Sequence, residues 1–327
     1  MAYKAGHGFC RVWPLPGGAR LRLLNVEQYL ALPRPEIDWI VPEHIPKPST
    51  VLLLGEPKAG KSFLALQVAY AVARGTTVLG RPVTRPGPVL YLQFDTSELV
   101  WRNRFQKLKR AKFDLSGPVI MPHPDDNMRV MNVLDPAVRA WWKEALSCKP
   151  QLVVIDVLRE IHNSDEDSST QMKKVFSALK ELLGDYAVLI VHHTPKIPKD
   201  FDSVRIINLA RGSSYIAGAV DALWLLHNHH LWIIPRFAEE IDGEAVRQRN
   251  GLFTFPDLEK SEALAGLCDQ YPALTHSQIA SIAEKQHGIT RSAYYRFLAT
   301  HVCCHTEQAP LEAALPEEVP GPATSEP

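Results

Sequence analysis

Residues Val51–Ser62 read VLLLGEPKAGKS. Four consecutive apolar residues, Val51–Leu54, predict a buried strand; a Gly-containing turn follows, and FLALQVAYAVA from Phe63 carries a helical pattern. Gly55, Gly60, Lys61 and Ser62 fit the spacing G-x-x-x-x-G-K-[ST] without a mismatch. That spacing has a chemical reason. A strand-to-helix turn free of bulky side chains lets several backbone N–H groups converge on phosphate oxygens at the positive end of a helix. On this reading Gly55, Glu56, Pro57, Lys58, Ala59, Gly60, Lys61, Ser62 and Phe63 cradle a nucleoside triphosphate. Lys61 reaches the β- and γ-phosphates, and the Ser62 hydroxyl ligates Mg²⁺. The competing reading, a glycine turn with an incidental lysine, leaves the flanking strand and helix unexplained.

Composition agrees. A chain of 327 residues can bury a full α/β core and still carry a second small domain. Its formal net charge is zero, so nucleic-acid contacts must come from local patches. The five cysteines, Cys10, Cys148, Cys268, Cys303 and Cys304, show no framework spacing, which suits a reduced, cytoplasmic compartment. No apolar run approaches about 18 residues and the N-terminus lacks a secretory stretch, so no membrane span is expected.

Downstream, VLYLQF is a second buried strand, expected beside the first, ending at Asp95. Carboxyl ends of strands line the ligand crevice of open α/β sheets, so Asp95 is placed to orient or deprotonate a water. Asp95-Thr-Ser-Glu98 also resembles a capping box, leading into a basic helix over Arg102–Lys112 read as a solvated face or a subunit contact. PVIMP reads as a short third strand. QLVVID then places Asp156 at another buried strand end, opposite Ser62, where an acid holds the Mg²⁺ water shell. YAVLIVHH ends at His192-His193, and a polar group at that end can sense the γ-phosphate. A metal pair there is disfavoured because adjacent strand residues point to opposite faces. AGAVDALWLLH, LWIIPRF and LFTF close the domain near Phe255. Before the first strand, Trp39 and Ile40 are expected to pack on the nucleotide domain, with adenine stacking as the alternative for Trp39.

These segments together carry a resemblance. GEPKAGKS, VLYLQFD, LVVIDVLREIHNSDEDSS, VLIVHHTPK and ARGSSYIAGAVDALWLL follow one another as in the RepA-like branch of RecA-type P-loop ATPases, which includes plasmid- and phage-type hexameric replicative helicases. The resemblance covers residues 37 to about 255. It implies an α/β, RecA-like core with a mainly parallel sheet, ATP hydrolysis at subunit interfaces, a homo-hexameric ring, and loops that carry single-stranded DNA. Carried over by residue, Lys61 and Ser62 bind phosphate and Mg²⁺, Asp156 is the Walker B acid, and His193 takes the phosphate-sensing place. Arg211 precedes a small-residue turn, and Arg236 stands where the family presents a finger to the neighbour's nucleotide. Asp95 departs from the pattern, since the family has a glutamate there.

The boundaries expected are a lead-in over 1–48, the ATPase domain over 49–255, a linker over 256–271, a helix-turn-helix-like module over 272–305 and a disordered tail over 306–327. In the module, Ser277 or Thr275 caps the first helix; Ile279, Ile282, Ala283, Ile289, Tyr294 and Leu298 form its apolar face. Arg291, Ser292, Tyr295 and Arg296 can touch DNA if it is a true helix-turn-helix, while a plain helical cap is the alternative. His301, Cys303, Cys304 and His305 lack a second ligand pair at zinc spacing, and HNHH at 227–230 reads as a hairpin turn. Two functions follow: an ATP-hydrolysing, ring-forming helicase or translocase on single-stranded DNA in replication, or an ATP-gated DNA-binding accessory protein without unwinding activity.

Overall fold

In a computed structural model the chain is described over residues 11–14, 20–34, 36–123, 131–197, 203–238, 241–249, 251–254, 263–268, 270, 271, 274–287, 289 and 294. The central sheet takes its strands in chain order as β1 Ser49–Gly55, β2 Val89–Gln93, β3 Val119–Ile120, β4 Leu152–Asp156, β5 Ala187–His193, β6 Ala222–His227, β7 His230–Pro235 and β8 Ile241–Ala245. They lie in the order β8-β7-β6-β1-β5-β4-β2-β3. The pairs from β3 across to β6 are parallel, and β7 is antiparallel to both neighbours. Only β7 therefore runs against the rest, which is the RecA-like arrangement. One neighbour differs from expectation: β2 does not flank β1, because β5 and β4 intervene. Sequence order placed it there, whereas the crossover from β1 carries the chain past two strands, to the third position outward.

Strands buried on both faces read as unbroken apolar runs, and the strand period of two divides them. Val51, Leu53, Tyr91, Val154 and Leu189 meet α1 Lys61–Arg74 and α2 Glu98–Arg110 on one face. Leu52, Leu54, Leu92, Ile155 and Ile190 meet α3 Pro136–Ala145, α4 Ser169–Leu183 and α5 Ser214–Gly218 on the other. Trp224 anchors the first layer and Trp142 the second, both fully buried.

Trp39 and Ile40 pack on the domain as expected. Trp39–Val41 pairs with Ile45–Pro46, and Ile40, Val41 and Ile45 are completely buried. Trp39 meets Phe237 edge to face at 5.4 Å, so its ring is engaged in packing and lines no nucleotide cleft. Past the sheet, α6 His276–His287 starts from a reciprocal Thr275–Gln278 pair. Ile279, Ala283, Ile289 and Tyr294 are buried in a separate small core with Leu264, Leu267 and Cys268. Residues 263–268, in the stretch expected to be a linker, are helical. Arg291, Ser292, Tyr295, Arg296 and the His301–His305 cluster lie outside the described residues, as does the tail. Among the described residues no helix is long and apolar enough to cross a membrane.

Two histidines away from the sheet ends carry a pH signature. Burial, with Arg81 nearby, pushes His44 down to about 4; burial, with Arg159 nearby, does the same to His162. Both residues are 2% exposed and their rings stay neutral in the fold, while the unfolded chain takes up their protons below the ordinary value of 6.5. The stability they contribute is thus present above pH 6.5 and lost as pH falls toward 4, on the order of 1–3 kcal/mol per ring. Thermal melts from pH 7 to 4 should show a falling Tm, with a shallower fall in His44→Phe; identical slopes would contradict this account.

Candidate active site

At the carboxyl end of the sheet, β1 passes into the turn 56–60 and α1. Gly55 sits so close to β6 that a Cβ there would lie 2.7 Å from the Leu226 carbonyl oxygen. Gly60 is left-handed, at φ 100°, and begins α1 without a side-chain cap, so its first N–H groups are open to an anion. A Cβ at Gly60 would meet the Gln248 amide at 2.6 Å and the Phe253 ring at 2.7 Å. Those residues belong to a hairpin, Arg247–Arg249 with Leu252–Thr254, which Gln67 holds by accepting from Phe253 N at 2.8 Å and donating to Phe253 O at 2.9 Å.

The result is a cleft of about 810 Å³. Pro57, Lys58, Gly60, Lys61, Ser62 and Phe63 line it from the turn; Asp95, Asp156 and His193 line it from the ends of β2, β4 and β5. Gly55, Glu56 and Ala59 do not line it. The Gly55 and Glu56 carbonyls instead accept from the Lys61 ammonium, at 2.8 and 2.9 Å. The Glu56 carboxylate turns away, to Ile197 N at 3.1 Å and His227 Nδ1 at 3.5 Å.

Lys61 Nζ is also 3.2 Å from His193 Nδ1. An ammonium only donates, so Nδ1 accepts and the ring proton sits on Nε2. Burial, then the Lys61 charge, pushes His193 down to about 4, which keeps it neutral near pH 7. Burial pulls Lys61 down to about 8, against the Asp156, Asp95 and Glu56 charges. Asp156 is 1% exposed; burial first, then Asp95, raises its pKa, and the Ser62 and Tyr91 side chains oppose that rise. Its Oδ2 accepts from the Tyr91 phenol at 2.9 Å, while Oδ1 is buried with no partner among the described residues.

Asp95 lies two residues past β2, exposed. The Asp95–Glu98 capping box does not form: Ser97 is the N-cap, without a side-chain bond, and Glu98 pairs with Arg102. His192 faces away from His193 and bonds the Arg211 carbonyl through Nε2 at 2.9 Å. Arg211 donates its N–H to the His193 carbonyl at 3.3 Å but does not line the cleft. Arg236 is not in the cleft either. It follows the end of β7, where Pro235 pairs with Ala222 and Ala222 with Val51, so it lies toward the end of the sheet opposite Gly55. There its Nη2 donates to the Gly218 carbonyl at 2.6 Å.

The basic helix, expected as a solvated face or a subunit contact, also turns one side toward the cleft. Arg104, Lys107 and Arg110, three residues apart and so on one helical face, line the cleft, while Trp101 and Leu108 are buried beneath. The spacing was visible in the sequence; which way the helix turns was not. Lys58, Lys61, Arg104, Lys107 and Arg110 thus face Asp95 and Asp156, an excess of positive charge suited to a polyphosphate. Arg104 lies over the Trp101 ring, 4.7 Å from its centroid, and its buried Nη1 has no partner among the described residues. A charge-assisted hydrogen bond to phosphate contributes about 1.5–3 kcal/mol, so Arg104→Ala should weaken ATP binding roughly 10- to 100-fold. Titration with a fluorescent ATP analogue checks this; unchanged affinity would restrict the guanidinium to packing on Trp101.

Comparison with known proteins agrees with the motifs. A family model described as an AAA domain matches residues 18–198, more than half of the chain. Among solved structures, one ATPase domain is similar at 14% identity and TM-score 0.47, over 63% of this chain and 84% of that one. A KaiC-like protein from the hyperthermophilic archaeon Pyrococcus horikoshii OT3 is similar at 14% identity and TM-score 0.42, over 66% of this chain and 92% of that one. With a complete phosphate-binding turn at the head of its RecA-like sheet, the chain belongs to the AAA-domain family and is a P-loop ATPase.

Proposed function

We propose that the chain is an ATP-hydrolysing, ring-forming helicase or translocase acting on single-stranded DNA, in replication of a plasmid, phage or similar element. The observation that carries this reading is the convergence of Lys61, Asp95, Asp156 and His193 on one cleft. The succession of motifs that resembles the RepA-like branch supports the ring and the DNA partner.

The donor set suits Mg²⁺. Ser62 and Asp156 both line the cleft, and Asp156 Oδ1, a hard oxygen with no hydrogen-bond partner among the described residues, suits such a cation. Held by Ser62 and Asp156, Mg²⁺ would supply neutralisation of the negative charge that builds up on the phosphates. Lys61 exchanges its backbone carbonyls for phosphate oxygens. Asp95 takes a proton from the attacking water as the water oxygen bonds to the γ-phosphorus and the bond to the ADP oxygen breaks. His193 Nε2–H donates to the phosphoryl group in flight. Phosphoryl transfer demands little more than such positioning and charge.

In the ring, Arg236 serves the neighbour's nucleotide, for it lies away from its own. A second reading, an ATP-gated DNA-binding accessory protein, is favoured by two observations: Asp95 is a methylene shorter than the resembled family's glutamate, and one Arg236 donor is engaged by its own chain.

ATP turnover and displacement of a strand from forked DNA, measured side by side, separate the readings. General bases contribute about 10²- to 10⁴-fold, so Asp95→Asn should nearly abolish both activities with ATP binding intact, and Asp95→Glu should raise turnover. Wild-type turnover in Asp95→Asn would reduce Asp95 to a loop residue and make Glu98 or Glu160 the acid to test. Turnover present only in Asp95→Glu would establish the accessory reading.

A further inference from the structure

Beneath the cleft floor lies a buried phenol that the hydrolysis scheme does not use. Tyr91 on β2 pairs in register with Val154 on β4, and Asp156 follows two residues later on the same face. Tyr91 is completely buried. Its hydroxyl has one proton to give and two oxygens in reach: Asp156 Oδ2 at 2.9 Å and the Ser62 carbonyl at 3.4 Å. The shorter, charged acceptor takes it. Oδ2 is thereby occupied, and Oδ1 is the carboxylate oxygen with no hydrogen-bond partner among the described residues.

The phenol itself is clamped. Trp101 meets the Tyr91 ring edge to face at 5.4 Å, and the Arg104 guanidinium covers Trp101 from the cleft side. Packing alone would be served equally well by phenylalanine, which brings no hydroxyl to be satisfied in the core. The hydroxyl therefore has a use of its own.

We propose that Tyr91 is a positioning residue of the Mg²⁺ site: by holding Asp156 Oδ2, it fixes the rotation of the carboxylate so that Oδ1 alone is offered to the cation and its waters. The inference rests on the reading that Ser62 and Asp156 hold Mg²⁺. Partners that orient a ligating carboxylate are typically worth about 10- to 100-fold in metal affinity.

The test uses Mn²⁺ as the probe, titrated into the full chain saturated with ADP and followed by electron paramagnetic resonance, so no turnover enters the readout. Tyr91→Phe should weaken Mn²⁺ binding roughly 10- to 100-fold, while ADP affinity in EDTA stays within about twofold, since Tyr91 touches no phosphate. Trp101→Phe, which keeps the phenol but loosens its clamp, should weaken Mn²⁺ by less and provides the answer if Tyr91→Phe does not fold. Wild-type Mn²⁺ affinity in Tyr91→Phe, or parallel loss of metal-free ADP binding, would overturn the proposal. If Asp156→Asn matches wild type in Mn²⁺ affinity, the metal-site reading beneath it falls as well, and the two failures are told apart.

Discussion

Lys61 is a buried ammonium, 4% exposed, with two backbone carbonyls and one imidazole nitrogen as acceptors and no carboxylate at ion-pair distance among the described residues. Removing a cation from water without a counter-ion costs several kcal/mol, and neutral acceptors offset it only in part. The depressed pKa of Lys61 records that cost. A polyanionic phosphate chain offsets it, which is why the same side chain that strains the free protein stabilises the bound one. The cations on α2 enlarge the effect, since they face the same cleft.

The sheet puts the complementary groups where that cation can use them. His193 pairs in register with Gly55, Asp156 with Val191, and Gln93 with Asp156, so the ends of β1, β5, β4 and β2 form a stepped row. Each step carries one polar group into the cleft: Lys61 beyond β1, His193 from β5, Asp156 from β4 and Asp95 beyond β2. The order of strands decides this. Had β2 lain beside β1, Asp95 would have met the turn directly and Asp156 would have lost its phenol partner, because Tyr91 reaches Asp156 only across the β2–β4 pair.

What could be read from the residues was whatever is local. Four apolar residues before a glycine turn define a strand and its turn wherever the strand lands, and acids at the ends of apolar runs mark the crevice. Neighbour relations were not local. The β2 position, the inward face of α2 and the approach of Gln248 to Gly60 depend on packing between segments far apart in the chain. Arg104, Lys107 and Arg110 had the right spacing for a face but no sequence cue for its direction. Tyr91 looked like one more apolar strand residue, because a hydroxyl shows its use only when its acceptor is in view. Arg236 is a further case of a relation that is not local: the resemblance gave it a part at a neighbour's nucleotide, and within the single chain its guanidinium donates to the Gly218 carbonyl, away from the chain's own cleft.

The cleft is organised by a cation that requires phosphate, and thermal unfolding of wild type and Lys61→Ala, each with and without saturating ATP and Mg²⁺, tests this most directly. Ligand binding to the native state should stabilise wild type by about 2–4 kcal/mol and the variant hardly at all. Without nucleotide, Lys61→Ala should be no less stable than wild type, since it removes a buried charge that lacks a counter-ion. Equal stabilisation of both proteins by ATP would contradict the account.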